Sequence, residues 1–147
     1  MQRRLIHLGG GLAVAVAVAL DEGLVTPVVR DTSALGLAAI AERVRDLAAR
    51  ARDGRLAPHE YDGATFTISN LGMYGVGEMF AIINPPQVAT IAVNKLQEIP
   101  VIVDGELEAR KVMNLSLSCD HRVVDGFEGA SFLQEVKRYL EDPTLLL

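Results

Sequence analysis

Three features of the 147-residue chain predict an α/β fold with a mixed sheet. Segments of strand character outnumber helical ones, and two of them flank Asp104-Gly105, a strong hairpin signal. Two amphipathic stretches at helical spacing complete the set. Taken in order, residues 12–20 alternate Ala and Val. Val14, Val16 and Val18 face one way and Ala13, Ala15, Ala17 and Ala19 the other, which predicts one strand covered on both faces. Asp21-Glu22-Gly23 forms a turn, with glycine where the backbone angle is awkward. Residues 25–30 are a second short extended segment, which Pro27 places at an edge or a strand start. Asp31-Thr32-Ser33 offers N-cap oxygens to a helix in which Leu37, Ile40, Ala41, Val44, Leu47, Ala48 and Ala51 share a face. Gly54 closes that helix in the left-handed cap position, and Asp46 with Arg50 forms an i,i+4 pair.

After a loop containing Pro58 and Gly63, residues 65–69 are β-branched and aromatic, a strand. A glycine-rich loop (70–77) and the rigid Asn84-Pro85-Pro86 follow, then a strand at 88–93. Residues 99–103 and 106–112 are the hairpin arms, the second running on through 113–119. A last helix, 127–141, is halted by Pro143. No internal repeat or low-complexity linker interrupts the chain.

Composition narrows the function classes. With 14 Lys+Arg against 19 Asp+Glu the net charge is −5, so the basic footprint of a nucleic-acid binder is missing. Half of the residues are hydrophobic, too many for a disordered chain. A mean hydropathy of +0.25 is high for so small a protein, so part of the aliphatic surface meets another chain or a membrane. The single Cys119 excludes an internal disulfide framework and a cysteine-rich zinc site. The arginines Arg43, Arg45, Arg50, Arg52 and Arg55 alternate with Glu42, Asp46 and Asp53, as on a solvated helix face. Met1-Gln2-Arg3-Arg4 ahead of an apolar stretch has the look of a secretory signal, but Gly9-Gly10-Gly11 interrupts it. The remaining run is too short to cross a bilayer as a helix, and the strand reading is preferred.

His121, at a strand-to-helix junction between Asp120 and Asp125, is suited to general-base work. The plainer alternative is a turn histidine satisfied by its neighbours. Asp125 precedes Glu128 by three residues, so it also reads as the cap of the last helix. Ser69 ends a strand and opens the glycine-rich loop, where a hydroxyl reaches a ligand or simply closes the strand. The loop lacks the lysine and following helix of a phosphate-binding loop, and Gly72, Gly75 and Gly77 have the wrong spacing for a dinucleotide fingerprint. No set of metal-ligand spacings stands out. His7 and His59 have no companions and read as surface or loop residues.

Three segments in order carry a resemblance: Thr65-Phe66-Thr67-Ile68-Ser69-Asn70-Leu71-Gly72, then Ile82-Ile83-Asn84-Pro85-Pro86-Gln87, then Ser118-Cys119-Asp120-His121-Arg122-Val123-Val124-Asp125-Gly126. Together with residues 23–31 they closely resemble the catalytic domain of the dihydrolipoamide acyltransferases, core components of 2-oxo acid dehydrogenase complexes. Asn70-Leu71-Gly72-Met73-Tyr74-Gly75 with Ser118-Cys119 looks most like the acetyl-transferring type. The resemblance covers residues 12–147; residues 1–11 do not match the family segment expected there.

It implies a mixed sheet with helices like that of chloramphenicol acetyltransferase, truncated at the N-terminal side. It implies a trimer whose sites lie between subunits, built into cubic or dodecahedral cores. Acetyl would pass between a dihydrolipoyl group and coenzyme A, with His121 as general base, Ser69 as oxyanion donor and Asp125 as an orienting residue. The alternative is a catalytically inactive fragment that serves only as an oligomeric scaffold. The implied partners are a lipoyl domain on another chain and the 2-oxo acid dehydrogenase and dihydrolipoamide dehydrogenase components, with no nucleic acid, membrane or metal. The implied location is the bacterial cytoplasm or the mitochondrial matrix.

Overall fold

The computed structural model describes residues 11–146, in a chain that folds as two compact units dividing between Phe66 and Thr67. The leader-like residues 1–10, His7 among them, lie outside the described residues.

The first unit holds β1 (Val14–Val16), β2 (Val18–Leu20), β3 (Gly23–Val25), β4 (Val28–Val29) and α1 (Leu37–Arg52). The Ala/Val run expected as one strand is two. It breaks at Ala17: β1 pairs antiparallel with β4, Val14 opposite Val29, while β2 pairs antiparallel with β3, Val18 opposite Val25. The buried phase changes with it, Ala13 and Ala15 before the break and Val18 after. The cause lies in the returning segment, also expected to be continuous. Pro27 has no N–H to extend a ladder, so that segment splits into β3 and β4, and its partner splits with it.

The predicted N-cap of α1 is corrected. Its N-cap is Gly36, with no side-chain bond, and Thr32–Ala34 forms a single 3-10 turn. The Thr32 hydroxyl donates to the Leu12 carbonyl at 2.9 Å, so it is committed elsewhere. At the other end Gly54 takes φ +66°, and the Arg55 N–H reaches the Arg50 carbonyl at 2.8 Å, as the glycine requires. Leu47 and Ala51 pack with Val18, Val29 and Leu56 to form the core of this unit. Arg50 leaves the solvated face expected of it. Its guanidinium makes two 2.7 Å bonds to half-buried Glu60, which hold that carboxyl near pKa 2, and one at 2.9 Å to Asp46.

The second unit holds β5 (Phe66–Asn70) from Thr67 on, with β6 (Ala89–Val103), β7 (Glu106–Cys119) and α2 (Gly126–Glu141). β5 runs parallel to β6 and β6 antiparallel to β7, which is the mixed sheet predicted. The expected strands 88–93 and 99–103 are one. A register irregularity between Val93 and Leu96 absorbs the residues that break the pattern. At the hairpin tip Asp104 and Gly105 take φ 51° and 87°, the paired left-handed angles that match the twist of the arms. Loop 71–88 lies against β6, where a Cβ on Gly72 would come within 2.6 Å of the Asn94 carbonyl oxygen. The Pro85–Pro86 peptide in that loop is cis. α2 lies over β7 at Gly129, whose Cβ, if it had one, would meet Cys119 Sγ and a Leu117 methyl at 3.7 Å.

Candidate active site

The turn between β7 and α2 carries His121, and main-chain bonds from both sides hold it. The Asp120 N–H donates to the Val88 carbonyl at 2.8 Å, and the N–H groups of Val123 and Val124 both donate to the Asp120 carbonyl at 3.0 Å. The Asp120 carboxylate accepts from the Arg122 N–H at 3.0 Å and from its guanidinium at 2.6 and 2.9 Å. These bonds hold the Asp120 carboxyl at about 2, so it stays ionised through the neutral range. Its oxygens thus serve Arg122, which fixes the turn. His121 is exposed and lines a cavity of about 620 Å³ with Ile83, Pro86, Gln87, Cys119 and Val123. The Asp120–Arg122 pair and Gln87 add polar groups to a wall whose exposed area is mostly apolar, which suits a ligand with both kinds of surface.

Cys119 is half-buried, and burial raises its thiol pKa, which disfavours the thiolate. Cys119 also forms part of the cavity wall. Asp125 is the N-cap of α2. Its Oδ1 accepts from the Glu128 N–H at 2.8 Å, and Glu128 Oε2 accepts from the Asp125 N–H at 3.2 Å, the reciprocal box its spacing predicts. Asp125 is not among the residues lining the cavity.

Ser69 is half-buried in β5 and likewise lies off that wall. The register places Ser69 in a row with Ala92 and Ser116, whereas Ala89 pairs with Cys119 at the cavity end. Three residues of rise and two inter-strand spacings separate Ser69 from Cys119, roughly 14 Å. One chain therefore gathers His121, Asp120, Cys119 and Gln87 around the cavity, with Ser69 and Asp125 off its wall.

Two contributors went unmarked in the sequence. Arg122 sits two residues from Asp120, a pairing that could have been read locally. Gln87 is only 8% exposed, and its Oε1 accepts from the Thr67 hydroxyl at 2.5 Å. No local pattern announces that contact, because the partners are 20 residues apart. Among the described residues no cluster of three His, Cys, Asp or Glu side chains could hold a metal ion, and no helix is long and apolar enough to cross a membrane.

Known proteins resemble this chain in sequence and fold. The chain is 44% identical over 134 residues to the dihydrolipoyllysine-residue succinyltransferase component of the 2-oxoglutarate dehydrogenase complex of Rickettsia felis, covering 91% of this chain and 33% of that one. It superposes on the Azotobacter vinelandii dihydrolipoamide acetyltransferase with a TM-score of 0.86 at 36% identity, over 92% of this chain and 56% of that one. That structure belongs to an investigation of the role of a serine, a histidine and an asparagine in the catalytic mechanism. The cubic core of the pyruvate dehydrogenase multienzyme complex matches with a TM-score of 0.87 at 35% identity, over 92% of this chain and 56% of that one. The chain thus spans about a third of the length of the curated relative and about half of the solved ones. The family model of the 2-oxoacid dehydrogenases acyltransferase (catalytic domain) matches residues 1–147. Mixed sheet, strand-to-helix histidine and likeness to these cores agree, and the chain belongs to that acyltransferase family.

Proposed function

We propose that this chain transfers an acyl group, acetyl in preference to succinyl, between dihydrolipoyl groups and coenzyme A. The observation that carries the reading is His121, an exposed imidazole on the wall of a cavity that it shares with apolar residues, Gln87 and the Asp120–Arg122 pair. Its ring takes the proton from a carrier thiol. The thiolate sulfur then attacks the thioester carbonyl of the other carrier, and the carbonyl electrons move onto oxygen. Collapse of that tetrahedral oxyanion expels the second sulfur, which recovers the proton from the imidazolium. Ser69 donates to the oxyanion, and Asp125 orients the turn from its cap position.

The separations support these roles. In the Azotobacter enzyme the named serine, histidine and asparagine lie 52 and 4 residues apart, as Ser69, His121 and Asp125 do here. Because Ser69 and His121 are distant in one chain, the working site joins Ser69 of one copy to His121 of another. The cubic core among the solved relatives supports such a homo-oligomer. The lipoyl group arrives on another domain or chain, and the dehydrogenase components are the further partners.

The test is acetyl transfer from acetyl-CoA to dihydrolipoamide, with succinyl-CoA in parallel. His121→Ala should lower the rate by about 10²–10⁴-fold and Ser69→Ala by about 10²–10³-fold. Mixing the two variants should restore part of the activity, since mixed oligomers contain intact sites. An unchanged rate in His121→Ala overturns the mechanism, and a folded oligomer with no transfer favours a scaffold.

A further inference from the structure

We propose that Gln87 is a substrate-binding residue, a fixed hydrogen-bond donor that holds the amide carbonyl of a thiol-bearing carrier arm in the His121 cavity. This deepens the acyl-transfer reading and rests on it. Gln87 lines the same cavity as His121, yet the residue is almost wholly buried, 8% exposed. Its Oε1 accepts from the Thr67 hydroxyl at 2.5 Å, and Thr67 is itself 4% exposed. An amide held by its oxygen has its orientation set, so its NH₂ group presents donors in a fixed direction.

Nε2 has no hydrogen-bond partner among the described residues and is not among the buried orphan atoms, which are Thr90 Oγ1 and Asn94 Oδ1. A buried side chain is thus anchored at one end with an unused donor left accessible, on a wall where Ile83, Pro86, Val88 and Val123 supply apolar surface. A carrier arm matches that pattern, since methylenes suit the apolar wall and the amide carbonyl is a strong acceptor. Thr67 is the positioning residue. It lies two residues before Ser69 on β5, so the strand that carries the proposed oxyanion donor also fixes this contact.

Two arms bear an amide near a thiol, the dihydrolipoyl arm and the pantetheine arm of coenzyme A, and matched probes separate them. Binding is measured by titration calorimetry for dihydrolipoamide against a dithiol of equal length in which a hydrocarbon tail replaces the amide. It is measured likewise for pantetheine against a thiol of equal length without the amides. Wild type should prefer the amide member of one pair by about tenfold, and Gln87→Met should abolish that preference. Thr67→Val should weaken the same preference while the far-ultraviolet dichroism stays native. A preference for neither member, binding of neither, or a preference that survives in folded Gln87→Met overturns the proposal. If Gln87→Met fails to fold, Gln87→Glu keeps the acceptor for Thr67 and removes the donor, and the same loss is required of it. These are equilibrium readouts, so they stand apart from the His121→Ala rate comparison. Amide preference with unchanged His121→Ala turnover sinks the acyl-transfer reading alone. Loss of turnover without amide preference sinks only the role of Gln87.

Discussion

Asp125 performs a structural task independent of chemistry. Its carboxylate caps α2 while its own N–H is held by Glu128. Loss of such a cap costs about 1 kcal/mol, and asparagine caps nearly as well as aspartate. Asp125→Ala should therefore lower the urea midpoint by an amount equivalent to about 1 kcal/mol, and Asp125→Asn should leave it nearly unchanged. Equal stability of Asp125→Ala and wild type would show that the box contributes nothing. The pair of variants also separates the cap from the proposed orienting role: if Asp125→Asn keeps its stability but loses transfer, the charge matters to the chemistry. This residue was legible in the sequence because both partners lie within one helical turn. Gln87 was not, because its meaning depends on Thr67, a residue on another strand.

At the scale of elements, close approach of loop and strand decides what is tolerated. Gly72 lies against the main chain of Asn94, and a methyl group there would stand 2.6 Å from a carbonyl oxygen that cannot swing aside. Gly72→Ala should destabilise the fold by about 1–3 kcal/mol, as overpacking does. The check is thermal unfolding alongside Gly126→Ala, whose Cβ meets nothing within 4 Å. Equal melting of the two variants would overturn this account. The same scale shows where sequence reading succeeds. The Asp104-Gly105 tip, the Gly54 cap and the two helices depend on neighbours close in sequence, and each appears where predicted. The break at Ala17 and the fusion of two expected strands into β6 do not. Both are imposed by the partner strand, through Pro27 in one case and the Val93–Leu96 irregularity in the other. Register is a property of pairs, and alternation in one strand says little about where its ladder stops.

For the whole molecule, the high mean hydropathy finds a physical address. Ile82 is 92% exposed, Phe127 81% and Met73 76%, with Ile102 and Leu107 also largely in solvent. Large apolar side chains left so open mark surfaces that meet other chains. Sedimentation velocity should show concentration-dependent self-association, and a monomer across the micromolar range would contradict the homo-oligomer reading. The architecture of the second unit also has a kinetic consequence. β6 and β7 are joined by a two-residue tip, with Val103 opposite Glu106, so their pairing zips from neighbours and belongs to fast local folding. β5 reaches β6 only after the chain between Thr67 and Thr90 has closed, a non-local event whose entropy must be met before any ladder bond forms. The arm that ends in Cys119 and leads to His121 is thus templated early. The strand bearing Thr67 and Ser69 docks late, so in an incompletely folded chain the histidine turn is in place before the Thr67 hydroxyl meets Gln87.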